Sequence, residues 1–263
     1  MSRKKVGLAL GGGAARGLAH IGVLEVLEEE GIPIDMIAGT SMGAIVGAIY
    51  SKTRDIKLMR ELAIAFGSRK IRYFSDFTVP RTGLIKGRRI ENELMLAIGG
   101  NTTFHDLNIP FSCVAVDIDT GEEIVIKDGM VWEAVRASAL VPVVFSLPKW
   151  RGRYLVDGGL MNPVPTKTAR DMGADFVISV NVLPYKAVSD NREPNIFTIM
   201  LKAFYILDSR FIEDSIRGAD AIIQPDVTAI AFTDFQRVEE CIEKGKLATQ
   251  SVISEIKRKL SLL

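Results

Sequence analysis

Residues 36–50 read MIAGTSMGAIVGAIY, and this stretch decides the fold. The apolar residues 36–38 predict a short buried strand, and the small apolar residues from 41 to about 50 predict a helix. Between them, residues 39–43 form the pattern G-x-S-x-G, which is typical of a sharp strand-to-helix turn that carries a nucleophilic serine. A serine that only caps the helix N-terminus is the alternative explanation for Ser41.

The residues upstream repeat this alternation. A short apolar run at 6–10 predicts a first strand, and apolar residues at helical spacing over 16–30 predict a helix that ends at Gly31. Between them lies the glycine loop GGGAARG at 11–17. Strands that alternate with helices predict an α/β fold, a three-layer sandwich with a mostly parallel sheet and helices on both faces.

The remaining chain continues with both element types. We predict helices over 56–66, 88–98, 131–140, about 163–172, 196–218 and from about 235 onward. We predict strands over 111–117, 122–127, 154–156, 175–180 and 221–223, the first two as a hairpin. Because no repeat or low-complexity linker interrupts the pattern, we expect a single domain over 1–263. Its motif-bearing part is about 6–185, and a helical C-terminal extension covers about 190–263.

The composition excludes several classes of protein. With 48% apolar and 25% charged residues the chain fits a globular protein, and a net charge of +1 gives no reason to expect a nucleic-acid partner. The apolar run at 6–10 is too short for a signal peptide, and no run of about 18 uncharged apolar residues exists. We therefore expect a cytoplasmic protein whose two cysteines, Cys113 and Cys241, are free thiols.

The glycine loop has two functional interpretations and one structural one. A dinucleotide site would need an acidic residue at the end of the second strand, where Gly39, Thr40 and Ser41 stand instead. An oxyanion hole needs successive backbone N–H groups that point into one small space, which glycines allow. The positive end of the following helix adds to it. The structural alternative is a tight turn without function.

A nucleophilic serine needs a base, and the chain contains only His20 and His105 as histidines. No histidine follows Asp157, as the order of α/β-hydrolases would require. Asp157 follows a predicted strand and precedes two glycines, so its carboxylate can enter a pocket. A plain Asp-Gly turn and a triad with His105 remain alternatives. His20, just behind the glycine loop, is expected to pack under the site.

These motifs in this order, together with ASALVP at 137–142, resemble the patatin-like phospholipase family over roughly 6–185. The resemblance implies hydrolysis of ester bonds in a phospholipid, lysophospholipid or acylglycerol by a Ser–Asp dyad. On that pattern Ser41 is the nucleophile and Asp157 is the base, and no metal or organic cofactor is required. A catalytically weak or silent binding or regulatory protein of the same fold is the alternative.

The family's loop reads D-G-G-G-x-R-G, and this chain has Gly11 in place of the aspartate and Ala14 in place of the third glycine. The resemblance implies an oxyanion hole formed by the N–H groups of Gly12, Gly13, Ala14 and Met42. It also implies that Arg16 holds the loop. The motif-supporting positions are Gly11, Arg16, Gly17, Gly39, Gly43, Gly158 and Gly159.

Two further segments suggest surfaces. The segment 69–89 is basic and contains two phenylalanines, which predicts peripheral contact with an anionic membrane; a solvated lid is the alternative. The predicted helix at 196–211 has a wide apolar stripe. We expect that stripe to cover the core or an acyl pocket, with self-association or an interfacial membrane helix as alternatives.

Overall fold

The structure, a computed structural model, describes residues 3–68, 83–85, 88–140, 143–145, 147, 149–183 and 196–262. The predicted membrane-contact segment 69–89 lies outside these residues except for 83–85 and the start of one helix at 88. Within the described ranges, every helix is too short or too polar to span a bilayer.

The strands are β1 (Val6–Leu10), β2 (Met36–Thr40), β3 (Gly83–Ile85), β4 (Phe111–Asp117), β5 (Glu123–Ile126), β6 (Val143–Phe145), β7 (Lys149–Trp150), β8 (Arg153–Asp157), β9 (Phe176–Val180) and β10 (Ala221–Ile223). The α-helices are α1 (Ala19–Glu29), α2 (Met42–Thr53), α3 (Ile56–Ser68), α4 (Arg88–Ile98), α5 (Val131–Ser138), α6 (Thr166–Asp171), α7 (Ile196–Ser215) and α8 (Val238–Leu262). The 3-10 turn Ala14–Leu18 precedes α1, so the predicted first helix begins as a tighter turn. Strands β3, β6 and β7 were not predicted, because two or three residues carry no readable period.

The main sheet is mostly parallel. Strands β10, β9, β1, β2 and β4 lie side by side in this order and all run in the same direction. Strands β5 and β8 pair with β4 in the antiparallel sense. The predicted α/β class with a mostly parallel sheet is therefore confirmed.

Helices cover both faces of this sheet. Alternate residues of a strand point to opposite faces, and in β1 Leu8 and Leu10 belong to one buried apolar cluster while Ala9 belongs to another. The first cluster includes residues of α1, α2 and α8, and the second includes Ala169 of α6. Every residue of β1, β2 and β9 is buried, as expected for a three-layer sandwich.

The edge of β4 decides where the chemistry can occur. Val114 pairs with both Thr40 of β2 and Val125 of β5, so β2 and β5 lie on opposite edges of β4. Ala115 pairs with both Ile124 of β5 and Asp157 of β8, so β8 lies on the same edge as β2. Strands β2 and β8 therefore meet end to end along one edge of β4, with their C-terminal ends facing each other.

The C-terminal part of the chain packs on the rest of the fold. Helix α8 lies along α1, with Ile242 and Ile256 in the core and ion pairs from Lys246 to Glu25 and from Lys257 to Glu30. Helix α7 contacts the turn that follows β8. Of the predicted stripe over 196–211, the described side chains Ile199, Ile206, Leu207 and Phe211 are exposed, so the expectation that the stripe covers the core is wrong for these four.

Candidate active site

Ser41 sits at the turn between β2 and α2 in a strained conformation. Its φ is 53° and its ψ is −121°, a region that costs a residue with a Cβ on the order of 1–3 kcal/mol. The Ser41 side chain makes no capping bond to α2. The simple N-cap explanation for this serine is therefore wrong, and the strain presents its hydroxyl elsewhere.

That hydroxyl meets Asp157. Ser41 Oγ donates to Asp157 Oδ2 at 2.6 Å, and the other carboxylate oxygen accepts the Gly159 N–H at 2.9 Å. Asp157 is completely buried and Ser41 is 6% exposed. The end-to-end meeting of β2 and β8 explains this contact, because Ser41 follows the last residue of β2 and Asp157 is the last residue of β8.

Burial changes the basicity of Asp157. Removal from water raises its pKa to about 7, although the hydrogen bonds from Ser41 and from the Gly159 N–H pull the pKa down. A solvated aspartate has a pKa of about 3.9 and is a poor base. The Asp157 carboxylate can therefore accept a proton near neutral pH, where its affinity for the proton matches that of an effective general base.

The glycine loop lies directly beside Ser41, but its N–H groups differ in availability. The Gly11 N–H donates to Val180 O at 3.0 Å and the Gly12 N–H donates to Pro163 O at 2.9 Å. The prediction that Gly12 donates to an oxyanion is corrected by this bond. A Cβ on Gly12 would lie 3.2 Å from Ser41 Cβ, so close contact with Ser41 explains this glycine.

Three predicted donors remain open. Within the described part of the chain, the N–H groups of Gly13, Ala14 and Met42 have no hydrogen-bond acceptor. Gly13 and Ala14 follow β1, and Met42 opens α2 directly after Ser41. Ala14 has a φ of 46°, so it adopts the left-handed conformation that the family's glycine would adopt without strain.

Contacts of Arg16 and Gly17 hold the 3-10 turn Ala14–Leu18 in place. Arg16 is buried, its Nε donates to Ile230 O at 2.6 Å, and its guanidinium lies 3.9 Å from the ring centre of Phe232. Gly17 packs against Met42, where a Cβ would come within 2.4 Å of that side chain. These contacts agree with the expectation that Arg16 holds the loop, with the segment 230–232 as its partner.

Neither histidine reaches the hydroxyl of Ser41 in a hydrogen bond. His20 is fully buried, its Nε2 donates to Gly11 O at 2.8 Å, and its Nδ1 has no partner among the described residues. His105 is exposed and precedes β4. The nearby Asn108 contacts Ser51 in the last turns of α2, on the order of 15 Å along that helix from Ser41. The geometry argues against a triad that uses His105.

We expect buried His20 to make the stability of the fold depend on pH. Burial lowers its pKa from 6.5 to about 4, so the unfolded chain binds the proton more tightly than the folded one. The contribution of neutral His20 to the free energy of unfolding is complete above pH ~6.5 and is lost as the pH falls toward 4. We expect the free energy of unfolding to drop between pH 7.5 and pH 5 by roughly 1–2 kcal/mol more in the wild type than in His20→Gln.

Chemical denaturation at the two pH values measures this difference. His105→Gln is the matched control, because it replaces the other histidine of the chain, which is exposed. An equal drop in the wild type and in His20→Gln would show that His20 is not the group responsible.

The sequence did not identify several residues that hold the site together. Thr40 Oγ1 donates to Asn162 O at 2.9 Å, and the Asn162 amide lies 3.2 Å from both carboxylate oxygens of Glu123. With the bond from Gly12 to Pro163, these contacts tie the turn at Ser41 and the glycine loop to the segment after Asp157. The ASALVP motif at 137–142 was the only sequence signal for this part of the site, and no role was assigned to its serine, Ser138.

The geometry can be compared with known proteins. A family model for patatin-like phospholipases matches residues 8–170. The chain is 31% identical to an uncharacterized NTE family protein of Mycobacterium tuberculosis, over 95% of this chain and 46% of that protein. It is 32% identical to lysophospholipase NTE1 of Scheffersomyces stipitis, over 80% of this chain and 14% of that protein.

A solved structure has the same fold. VipD from Legionella pneumophila superimposes with a TM-score of 0.56 at 13% identity, over 97% of this chain and 67% of that chain. By contrast, the chain spans less than half the length of each of these two curated relatives.

Proposed function

This chain belongs to the patatin-like phospholipase family, and we propose that it is a serine hydrolase that cleaves ester bonds of lipids through Ser41 and Asp157. One observation carries the proposal. A serine hydroxyl held in a strained turn donates at 2.6 Å to a buried carboxylate whose pKa is raised to about 7. Backbone strain of this kind clusters at functional sites.

The reaction begins with proton transfer. Asp157 accepts the Ser41 proton as Oγ attacks the ester carbonyl carbon, and the carbonyl oxygen becomes an oxyanion. The N–H groups of Gly13, Ala14 and Met42 stabilise that charge, and the N-terminus of α2 adds its positive dipole end. Asp157 then gives the proton to the leaving alcohol, which departs as the acyl-serine forms.

Water completes the cycle. It attacks the acyl-serine while Asp157 again accepts the proton, and collapse of the second oxyanion returns the proton to Ser41 Oγ and releases the fatty acid. Apart from the ester and the water, each step uses groups of this chain. Gly12, whose N–H already donates to Pro163, has a packing role beside Ser41.

The substrate class follows from the family and from one relative. The name of lysophospholipase NTE1 states the substrate class of that relative. We therefore propose a lysophospholipid as the first ester to test, with phospholipid and acylglycerol as the next two. Peripheral contact with a membrane through 69–89 and a cytoplasmic location stay predictions. The intact Ser41 and Asp157 favour an enzyme over a silent protein of the same fold.

Fatty-acid release tests the proposal. The wild type should release fatty acid from at least one of the three lipid classes, and Ser41→Ala should release none. Absence of release from all three by the wild type, or equal release by Ser41→Ala, would favour the binding or regulatory alternative.

The pH dependence of turnover tests the role of Asp157. Only the ionised carboxylate accepts a proton, and burial raises its pKa to about 7. We expect kcat/KM to rise with pH, to reach half its maximum near pH 7, and to be about a hundredfold below its plateau two pH units lower. Initial rates between pH 5 and 9 measure this. A midpoint near pH 4 would indicate a solvated carboxylate and contradict the proposed environment.

A further inference from the structure

The end of helix α5 contacts the backbone of both Ser41 and Asp157. Ser138, its last residue, is completely buried. Ser138 Oγ accepts the Ser41 N–H at 3.0 Å. Two residues later, Leu140 O accepts the Asp157 N–H at 2.9 Å. One short segment therefore binds the main chain of both residues whose side chains form the 2.6 Å contact.

The Ser138 hydroxyl provides hydrogen bonds just beyond the last residue pair of β2 and β4. The β2–β4 pairing ends at Thr40 and Val114, so the Ser41 N–H lies just past the ladder. Ser138 Oγ donates its own proton to Val114 O at 2.6 Å while it accepts the N–H of Ser41. The hydroxyl thus bridges Ser41 to β4 at the point where β2 ends and β8 begins.

The partner of that bridge also touches the turn after Asp157. A Cβ on Gly158 would lie 2.3 Å from Val114 O, so the backbone after Asp157 packs directly on the carbonyl that Ser138 binds. A shift of the Ser41 backbone would therefore not be compensated by a matching shift of Asp157.

We propose that Ser138 is a positioning residue that sets the Ser41–Asp157 distance by holding the Ser41 N–H against β4. This inference rests on the proposed function. The positive φ of Ser41 is strained. Without the bridge its backbone can relax and turn the hydroxyl away from the carboxylate. A misplacement of about 1 Å at a reacting group costs on the order of a hundredfold in rate.

Ser138→Ala tests the proposal. We expect kcat to fall by about 10- to 100-fold with KM within about twofold, because the lost contact orients the nucleophile and does not bind substrate. Amide hydrogen exchange at Ser41 should accelerate in the same variant. Ser138→Thr keeps the hydroxyl and should recover most of the lost kcat and the slow exchange.

Ser179→Ala is the matched control for stability. Ser179 is also completely buried and its hydroxyl bonds one side chain, Thr166 Oγ1, at 2.8 Å. Both serine-to-alanine variants should melt at a lower temperature, and only Ser138→Ala should lose kcat. Equal kcat in Ser138→Ala and Ser179→Ala would overturn the positioning role. The role would also be overturned if Ser138→Thr restored the slow exchange at Ser41 but not kcat.

The two proposals fail in different ways. If the wild type releases no fatty acid, the proposed function is overturned, and exchange at Ser41 still decides whether Ser138 holds its backbone. Unchanged exchange in Ser138→Ala would overturn the positioning role even in an active enzyme.

Discussion

Asp157→Asn is expected to lower kcat/KM for ester hydrolysis by at least about a thousandfold, close to the loss in Ser41→Ala. The amide keeps the size of the side chain but cannot take the Ser41 proton at neutral pH. The thermal melt should not fall much, because burial of an ionised carboxylate is itself unfavourable and the amide removes that charge. Initial rates with one ester substrate and a thermal melt measure both effects.

The double variant sharpens this prediction. Ser41→Ala with Asp157→Asn should be no worse than either single variant, because both disable one proton-transfer unit. Asp117→Asn is the control: Asp117 is also a buried strand carboxylate, but it binds Arg153 and the Asp119 N–H instead of a serine. If Asp157→Asn kept most activity while His105→Gln lost it, a triad with His105 would replace the dyad.

Gly43→Ala is expected to destabilise the fold by at least about 3 kcal/mol or to prevent folding. A Cβ at Gly43 would lie 2.1 Å from Leu10 O and 2.7 Å from Gly11 O. Both contacts are backbone atoms at the end of β1, so the only relief is to move α2 away from the sheet. Urea denaturation of the purified variant measures the loss.

Gly47→Ala, one turn further along α2, is the control. Its Cβ would meet the side chains of Ile37 and Phe111 at 3.0 and 3.1 Å, and side chains can adjust. Alanine also favours the helix over glycine by up to about 1 kcal/mol, so we expect a net change within about 1 kcal/mol. Equal stability losses in the two variants would contradict the close approach of α2 to β1.

The sequence predicted what local patterns encode. Mostly apolar runs predicted β1 and β9, and the glycine-flanked Ser41 predicted the turn, because these features depend on neighbouring residues. The meeting of β2 and β8 depends on the register of two strands against β4, which no local pattern specifies. The sequence therefore identified Ser41 and Asp157 as candidates but could not say why their side chains meet.

The roles of Gly12 and Ser138 could not be predicted from the sequence, because both depend on backbone partners. Gly12 was predicted as an oxyanion donor because it matches, like Gly13, an oxyanion position of the family's glycine loop. The acceptor that occupies its N–H is the backbone carbonyl of Pro163, and a carbonyl leaves no trace in residue type. Ser138 was visible only as part of a motif, since its two partners, the Ser41 N–H and Val114 O, are also backbone groups.

Covalent labelling tests the nucleophile most directly. The wild type is treated with an alkyl fluorophosphonate, which reacts with activated serines, and the modified peptide is identified by mass spectrometry. We expect a single adduct on Ser41, much slower labelling of Asp157→Asn and none at this position in Ser41→Ala. An adduct on another residue, or a wild type that labels no faster than Asp157→Asn, would contradict the assignment of Ser41 as a nucleophile activated by Asp157.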